Sequence, residues 1–252
     1  GTENLSLLTA DPGGDDGPVW SADGSRIFFR SGRGTSPGVY AIVPDTGETT
    51  LLASSSPEFP APLPWAISPD DRTLGLVNGT DSFNIATLSL ADGELSHLLR
   101  DPEISEGEHS FSPNGAWLAY AETPRGGAPE INIRPFPGVS RTRIPVGPGS
   151  APAFSRDGSE LFYFDGTGLA AAPITYEPTL RVGAPERLFD GTAFLWAVTG
   201  RSWDVDPSGQ RFLMIRAPND TAGDTGARID VVVNWFEELK SRVPIESSGG
   251  SD

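Results

Sequence analysis

Three carboxylates lie close together in a glycine-rich segment near the start of the chain. They belong to Asp11, Asp15 and Asp16, with glycines at positions 13, 14 and 17 between and after them. Flexible loops that carry several oxygen ligands suit hard cations such as calcium. The spacing is not that of an EF-hand loop, however, and a solvated turn explains the same pattern more simply. The sequence therefore predicts a surface turn, with a calcium site at these three residues as the alternative.

A second group of candidate residues recurs with a period in the forties. Pro18, Trp65, His109, Pro152 and Trp203 occupy equivalent positions, at or just before the first strand of successive units. If the units form a ring, their first strands line its central opening. Aromatic and ionisable side chains at a concave mouth are candidates for ligand binding. We therefore expect Trp65, His109 and Trp203 at the mouth of a funnel.

Two further candidates, Trp196 and Arg201, lie in the segment that leads into the last unit. They are candidates for the same mouth because that segment enters the ring beside Trp203. Ordinary packing between neighbouring units is the competing explanation for the tryptophans, and the sequence alone leaves both explanations open.

The composition excludes several classes of function. The 252 residues include 18 Lys and Arg against 34 Asp and Glu, which gives a net charge of −16. Such a surface repels phosphate backbones and anionic lipids, so neither nucleic-acid binding nor direct membrane insertion is expected. Cysteine is absent, which excludes disulfides, thiolate nucleophiles and cysteine-ligated metals. A protein, a peptide or a small ligand remains as the expected partner.

One short phrase recurs five times and shows which elements carry these residues. It consists of an aromatic or apolar residue, Ser or Asp, and one or two turn residues, followed by a dense apolar run. The copies end at Gly24, Asp71, Gly115, Gly158 and Gly209, at spacings of 47, 44, 43 and 51 residues. Asp, Asn and Gly tolerate positive φ and therefore form tight hairpin turns. Strand-rich units at this spacing are typical of β-propeller blades.

Each unit contains enough strands for one blade. The apolar run after the turn lacks polar alternation, which indicates a strand covered on both faces. A third strand follows in all five units, and a fourth follows in the first four. The fifth unit instead runs into Trp235–Lys240, which predicts a short helix with Trp235, Phe236 and Leu239 on one face. Leu5–Thr9 is a strand of the missing kind, which would complete the last blade and close the ring.

The sequence thus predicts an all-β fold, a single β-propeller of four-stranded antiparallel blades over residues 1–243, with a short C-terminal helix. Five repeats are visible, and a six-bladed ring with one blade upstream of Gly1 is the alternative. Residues 244–252 have the composition of a disordered tail. The predicted blades lie near residues 17–53, 63–100, 107–147, 150–190 and 201–236, with residues 5–9 closing the ring.

The repeated phrases resemble the propeller repeats of TolB, the periplasmic component of the Tol-Pal system. The second half of the chain is also similar to the propeller that follows bacterial serine/threonine kinase domains. The stretches that carry the resemblance are Ile131–Gly138, Phe154–Tyr163, Asp206–Ile215 and Val231–Lys240. The glycine-rich ATP loop and the catalytic motifs of a kinase are absent from the sequence, so phosphoryl transfer is not expected.

The resemblance implies a non-catalytic, extracytoplasmic module of a larger signalling protein, which binds or senses a protein, a peptide or a small ligand. No catalytic residue is predicted, and no cofactor apart from calcium. The alternative is a propeller enzyme, a glycosidase or a metal-dependent lactonase, with its site in the funnel. A glycosidase would need two carboxyl groups roughly 5–10 Å apart across the pocket. A lactonase would need several oxygen ligands on one metal.

Overall fold

The described part of the chain forms five antiparallel sheets, which we number blades 1 to 5. A computed structural model describes residues 7–138, 142–194 and 202–216 in full and residues 228–232 as backbone. No helix within these ranges is long and apolar enough to cross a membrane.

Blades 1 to 3 each contain four strands in sequential order. The strands of blade 1 are β1 (Asp15–Trp20), β2 (Ile27–Ser31), β3 (Gly38–Ile42) and β4 (Thr49–Ser54). Those of blade 2 are β5 (Leu63–Ile67), β6 (Thr73–Asn78), β7 (Asn84–Ser89) and β8 (Leu95–Leu99). Those of blade 3 are β9 (Ile104–Phe111), β10 (Trp117–Pro124), β11 (Glu130–Pro135) and β12 (Ile144–Pro148).

Blades 4 and 5 depart from this pattern. Blade 4 has a long third strand that pairs with two short ones, and three strands of blade 5 are described. The strands of blade 4 are β13 (Ser150–Phe154), β14 (Glu160–Phe164), β15 (Gly168–Thr175), β16 (Arg181–Val182) and β17 (Glu186–Asp190). Those of blade 5 are β18 (Trp203–Val205), β19 (Phe212–Arg216) and β20 (Arg228–Val232).

The serine of the repeated phrase holds the turn between the first two strands of each of blades 1 to 4. Its Oγ donates to the Asp or Asn two residues later at 2.6–2.7 Å and accepts from the backbone N–H five residues later at 2.9–3.0 Å. These four serines are buried. In blade 5 the carboxylate of Asp206 takes the place of the hydroxyl and accepts from the N–H of Arg211 at 3.3 Å. The phrase is therefore a hydrogen-bonded turn and not a set of free carboxylates.

The one turn that ends in Asp instead of Gly connects two blades. Asp71 adopts a left-handed conformation with φ of 54°, which Asp tolerates better than most residues. Its carboxylate accepts from the backbone N–H groups of Ala22, at 2.7 Å, and Asp23, at 3.2 Å, in the turn of blade 1. The substitution for glycine thus provides a link between neighbouring turns.

Neighbouring blades pack through apolar faces. Odd and even positions of the central strands point to opposite sides, and both sides are buried in the middle blades. In blade 4, for example, Leu161 and Tyr163 pack against blade 3, while Phe162 packs against Phe212 of blade 5 with ring centroids 5.1 Å apart. The prediction of an all-β propeller of four-stranded antiparallel blades is confirmed.

The predicted closing strand is not formed in the part of the chain that the structure describes. Leu7, Leu8 and Thr9 lie outside any strand, and Leu7 is 82% exposed. Thr9 instead lies beside the carboxylate of Asp15 at the entry to blade 1. Leu5, Ser6, the predicted helix Trp235–Lys240 and the tail 244–252 lie outside the described residues.

The buried turn serines make a direct prediction about stability. Replacing Ser112, which is fully buried, by Ala leaves the backbone N–H of Trp117 without its acceptor, so the free energy of unfolding should fall by about 1–3 kcal/mol. The measurement is urea unfolding followed by circular dichroism. Ser208→Ala, at an exposed position of the blade 5 turn, is the control and should change the value by less than about 0.5 kcal/mol. Equal effects of the two substitutions would contradict the assigned role.

Candidate functional site

The first strand of each of blades 1 to 4 carries one extra residue at the same level. First strands of adjacent blades contact one another, which places them on the inside of the ring. Their register against the second strand shifts at Gly17–Pro18, Trp65, Glu108 and Ala151–Pro152. Such a β-bulge bends a strand and redirects a side chain. In blades 1 to 4, the equivalent positions identified from the repeat therefore lie at or next to β-bulges around the axis.

Two cavities lie along this axis. The first, of about 480 Å³, is at the end where the first strands begin, and its lining includes Leu63, Glu108 and Ala151. The second, of about 470 Å³, is at the end where the first strands finish, and its lining includes Phe111. Trp65 and Ser202 line both. The two cavities therefore adjoin each other, and we refer to them together as the axial channel.

Two of the predicted tryptophans line this channel and carry a buried indole donor. Trp65, which lines both cavities, and Trp203, which lines the second, are buried. Neither indole Nε1–H has a hydrogen-bond partner among the described residues. A buried N–H without an acceptor is costly, so these two donors are notable features of the channel wall, although their nitrogen atoms are not exposed to the cavity.

Few charged groups line the first cavity. Glu108 sits on its bulge with φ of 38°, and its carboxylate accepts from the backbone N–H of Ala151 at 2.8 Å, which links blade 3 to blade 4. Arg30 lines the same cavity and pairs with Asp16. Apart from these two and a few hydroxyls the lining is apolar. Glu108 was missed as a lining residue because the repeat was aligned on His109, one position later.

His109 lies beneath the lining and not at the mouth. It is 0% exposed and packs edge-on against Phe111, with ring centroids 6.2 Å apart. The bulge at Glu108 turns it into the interface with blade 2, where Gly75 makes room for it. The structure does not place His109 at the funnel mouth, because the bulge exchanges its side with that of Glu108.

The acidic segment does not gather its carboxylates around one point. Asp15 and Asp16 are consecutive residues of β1 and face opposite sides of the strand. Asp15 pairs with Arg33 at 3.2 Å, Asp16 pairs with Arg30, and Asp11 accepts from the backbone N–H of Gly13 at 2.8 Å. The structure brings together no three acidic or histidine side chains able to hold a metal within its described ranges. Trp196 and Arg201 lie outside those ranges.

A buried pair of carboxylates lies between blades 2 and 3, which the sequence analysis did not identify. Glu106 and Glu122 are cross-strand neighbours on β9 and β10 and are both buried. Arg143 binds the Glu122 carboxylate at 2.6 Å, and the backbone N–H of Asp101 donates to Glu106 at 3.3 Å. Burial raises the pKa of Glu106 to about 7, and the nearby charges of Asp101 and Glu122 add to the effect.

The fold has close counterparts among solved structures, although no protein-family model matches the sequence. TolB from Acinetobacter baumannii superposes with a TM-score of 0.66 at 18% identity, over 90% of this chain and 53% of that one. A TolB-type protein from Agrobacterium tumefaciens gives 0.67 at 16% identity, over 91% of this chain and 80% of that one. The chain therefore spans about half the length of the first of these proteins.

An enzyme shares the architecture more distantly. An oligogalacturonate lyase in complex with manganese superposes with a TM-score of 0.54 at 12% identity, over 90% of this chain and 79% of the lyase. At these identities the likeness concerns the fold, which is that of a TolB-like β-propeller.

The space that Gly75 leaves for His109 can be tested by filling it. A Cβ on Gly75 would lie 2.1 Å from Nε2 of His109 and 3.2 Å from the ring of Phe111. Since His109 is fully buried, Gly75→Ala should lower the free energy of unfolding by about 1–3 kcal/mol. Gly138→Ala, where the added Cβ meets nothing within 4 Å, is the matched control for urea unfolding. If Gly75→Ala leaves the free energy of unfolding unchanged, His109 must be able to move out of this space.

The buried carboxylate predicts a pH dependence with a defined sign. The folded chain keeps the Glu106 proton up to about pH 7, whereas the unfolded chain releases it near 4.5. The folded state therefore binds more protons between these values, and its stability falls as pH rises through that window. Between pH 4.5 and 8 the free energy of unfolding of the wild type should fall by on the order of 2–3 kcal/mol through this group, and Glu106→Gln should lack that fall.

The measurement is urea unfolding of both proteins at pH 4.5, 6 and 8. Glu48→Gln, on an exposed turn, is the control and should leave the pH profile of the wild type unchanged. Parallel profiles for wild type and Glu106→Gln would contradict a protonated buried carboxyl.

Proposed function

We propose that the chain is a non-catalytic binding module whose axial channel receives a segment of a protein or peptide partner. The observation that carries the proposal is the axial channel itself, which is lined by Trp65 and Trp203, and the indole N–H groups of these two residues have no acceptor among the described residues. A peptide backbone offers carbonyl acceptors at regular intervals. Such a segment would satisfy these donors if the two indole rings turn toward the channel on binding.

The channel lining also suits a mainly apolar segment. The first cavity is bounded by Leu63, Val77, Phe83 and Phe164, with isolated hydroxyl groups between them. Pockets of this kind, apolar with a few placed polar groups, are typical of ligand sites. The net charge of −16 favours a partner with cationic flanks, since complementary charge accelerates encounter.

The distribution of carboxylates favours binding over hydrolysis. The described lining of the first cavity contains one carboxylate, Glu108, which is already held by the N–H of Ala151. The described lining of the second also contains one, Asp204. A glycosidase needs two converging carboxyl groups, and a metal-dependent lactonase needs several oxygen ligands. The enzyme alternative thus finds less support in the channel than the binding role.

The same proposal includes an extracytoplasmic location and membership of a larger signalling protein. The support is the sequence resemblance to TolB and to the propellers that follow bacterial kinase domains. The signal would then be the binding of a ligand in the channel, and the remainder of the protein would respond to it.

The role of the indole N–H can be tested by a substitution that keeps most of the side chain. We expect a library of random peptides displayed on phage to yield sequences that bind the immobilised chain. Trp65→Phe should weaken their binding by about tenfold or more, the value of one hydrogen bond in a dry site. The measurement is the Kd of the enriched peptides by calorimetry.

Trp117→Phe is the matched control because Trp117 packs between blades 3 and 4, outside both cavities. It should leave the Kd unchanged. If peptides are enriched but bind Trp65→Phe as well as the wild type, the channel is not their site. Turnover of a glycoside or a lactone by the unmodified chain would replace the binding role with the enzyme alternative.

A further inference from the structure

The turn of blade 1 holds a carboxylate with two successive backbone N–H groups. They belong to the third and fourth residues of the five-residue turn phrase, Ala22 and Asp23, and donate at 2.7 and 3.2 Å to separate oxygens of Asp71. Asp71 is the last residue of the phrase in blade 2. Successive backbone N–H groups in a turn form a common site for anions. The protein therefore contains one such site, which its own side chain fills.

The same two positions of the phrase face each other at the interfaces between blades 2 and 3 and between blades 3 and 4. A Cβ added to Gly115, the last residue of the phrase in blade 3, would lie 3.4 Å from Cγ of Pro69 in blade 2. One added to Gly158 in blade 4 would lie 3.5 Å from Cδ of Pro113 in blade 3. Both third residues are prolines, which have no N–H to donate, so neither turn offers the pair of donors that binds Asp71.

The interface between blades 4 and 5 combines the donors of the first site with the glycine of the others. The third and fourth residues of the phrase in blade 4 are Arg156 and Asp157. Both have a backbone N–H, and neither N–H donates to another residue in the described part of the chain. The facing residue of blade 5 is Gly209, with φ of 72°. The donors are therefore present, but the side chain that would bind them is missing.

A cleft of about 290 Å³ lies where that side chain would be. Its described lining includes Arg156, Asp157, Pro207 and Gly209. A Cβ added to Gly209 would meet only the ring of Phe162, at 4.0 Å, so the glycine leaves open space. No described residue lines both this cleft and the axial channel. The cleft is therefore separate from the channel.

The carboxylate of Asp157 does not prevent a second carboxylate from binding beside it. Its Oδ1 accepts from the hydroxyl of Ser155 and from the N–H and the hydroxyl of Ser159 at 2.7–3.0 Å. Asp23, at the equivalent position of blade 1, is held in the same way by two serines of its own turn. The Asp71 carboxylate nevertheless binds to the N–H of Asp23, so the same arrangement can accept an anion in blade 4.

Two further charged side chains line the cleft. Arg156 is exposed and forms no ion pair within the described part of the chain, so its guanidinium can contact an anion. Glu160 is half-buried and opposes one. These two charges offset each other, which leaves the pair of backbone N–H groups as the feature that selects the ligand.

We propose that the cleft between the turns of blades 4 and 5 binds a carboxylate of a partner polypeptide through the backbone N–H groups of Arg156 and Asp157. The bound group takes the place that the Asp71 side chain takes at the turn of blade 1, with one oxygen on each N–H. Charge-assisted hydrogen bonds of this kind are stronger than those between neutral groups. The carboxylate belongs to an acidic side chain or to a C-terminus, both of which backbone N–H groups can bind.

The test is an NMR titration of the isotope-labelled full chain with sodium acetate, with sodium chloride as the control for ionic strength. We expect the amide proton shifts of Arg156 and Asp157 to saturate with acetate and not with chloride. The amides of Ala22 and Asp23 already bind a carboxylate and should not respond.

Gly209→Asp supplies the missing carboxylate from within the chain. It should weaken the apparent binding of acetate at Arg156 and Asp157 by about tenfold or more, since an attached group has a high effective concentration. Gly24→Asp is the matched control, because Gly24 ends the phrase in blade 1 with the same φ of 72°. It adds the same charge and should leave the response of Arg156 and Asp157 unchanged. Urea unfolding checks that each variant folds.

Asp71→Gly makes the converse change in blade 1. It should expose the N–H groups of Ala22 and Asp23, whose amide proton shifts should then respond to acetate as those of blade 4 do. If they stay silent in a folded variant, the two turns are not equivalent and the proposal loses its basis.

Two short peptides distinguish the sources of the carboxylate. Acetyl-Ala-Ala carries it at the C-terminus, and acetyl-Asp-Ala-amide carries it in a side chain. The peptide that binds more tightly at the Arg156 and Asp157 amides identifies the group, and equal binding means that both are accepted. The proposal is overturned if these amides respond to acetate no more than to chloride, or if they respond equally in the wild type and in Gly209→Asp.

Discussion

The structure depends on the fact that each sheet has two apolar faces and can cover neither by itself. Leu161 and Phe162 are consecutive residues of β14, yet both are buried, because blade 3 covers one and blade 5 covers the other. At ~25 cal/mol per Å² of apolar surface, an uncovered face costs more than any single hydrogen bond in the turns. Radial stacking is the arrangement that covers both faces, and it creates the axis on which the channel lies.

The turns make this stacking possible by keeping the blades alike. The buried serine of each of blades 1 to 4 satisfies the backbone at the point where the chain reverses, so the second strand starts in the same register every time. Where the repeated sequence changes, its contacts change too: the carboxylate of Asp71 accepts a hydrogen bond from the backbone of the neighbouring turn. Because the same hydrogen-bonded turn recurs in each blade, the blades repeat at a regular spacing.

The fold could be predicted because its signals are local: the turn phrase, its period and the dense apolar runs all lie within one blade. The site was harder to predict, because it is formed by residues more than forty positions apart. Trp65 and Trp203 were identified from the repeat, but the alternation of sides along β9 was not, since a bulge at Glu108 reverses it for His109. Glu106 and Glu122 are direct partners on the adjacent strands β9 and β10, and no spacing in the sequence indicates such a pair.

The bulges also determine which residues that line the axial channel can vary. An inserted residue such as Glu108 or Trp65 stands outside the ladder of hydrogen bonds that joins the first strand to the second. Its identity is therefore weakly coupled to the strand pairing that maintains the blade. Around the axis, such positions can vary without breaking this ladder, although Glu108 also links blade 3 to blade 4 through the N–H of Ala151. A single scaffold can in this way acquire different internal surfaces, and hence different specificities, at little structural expense.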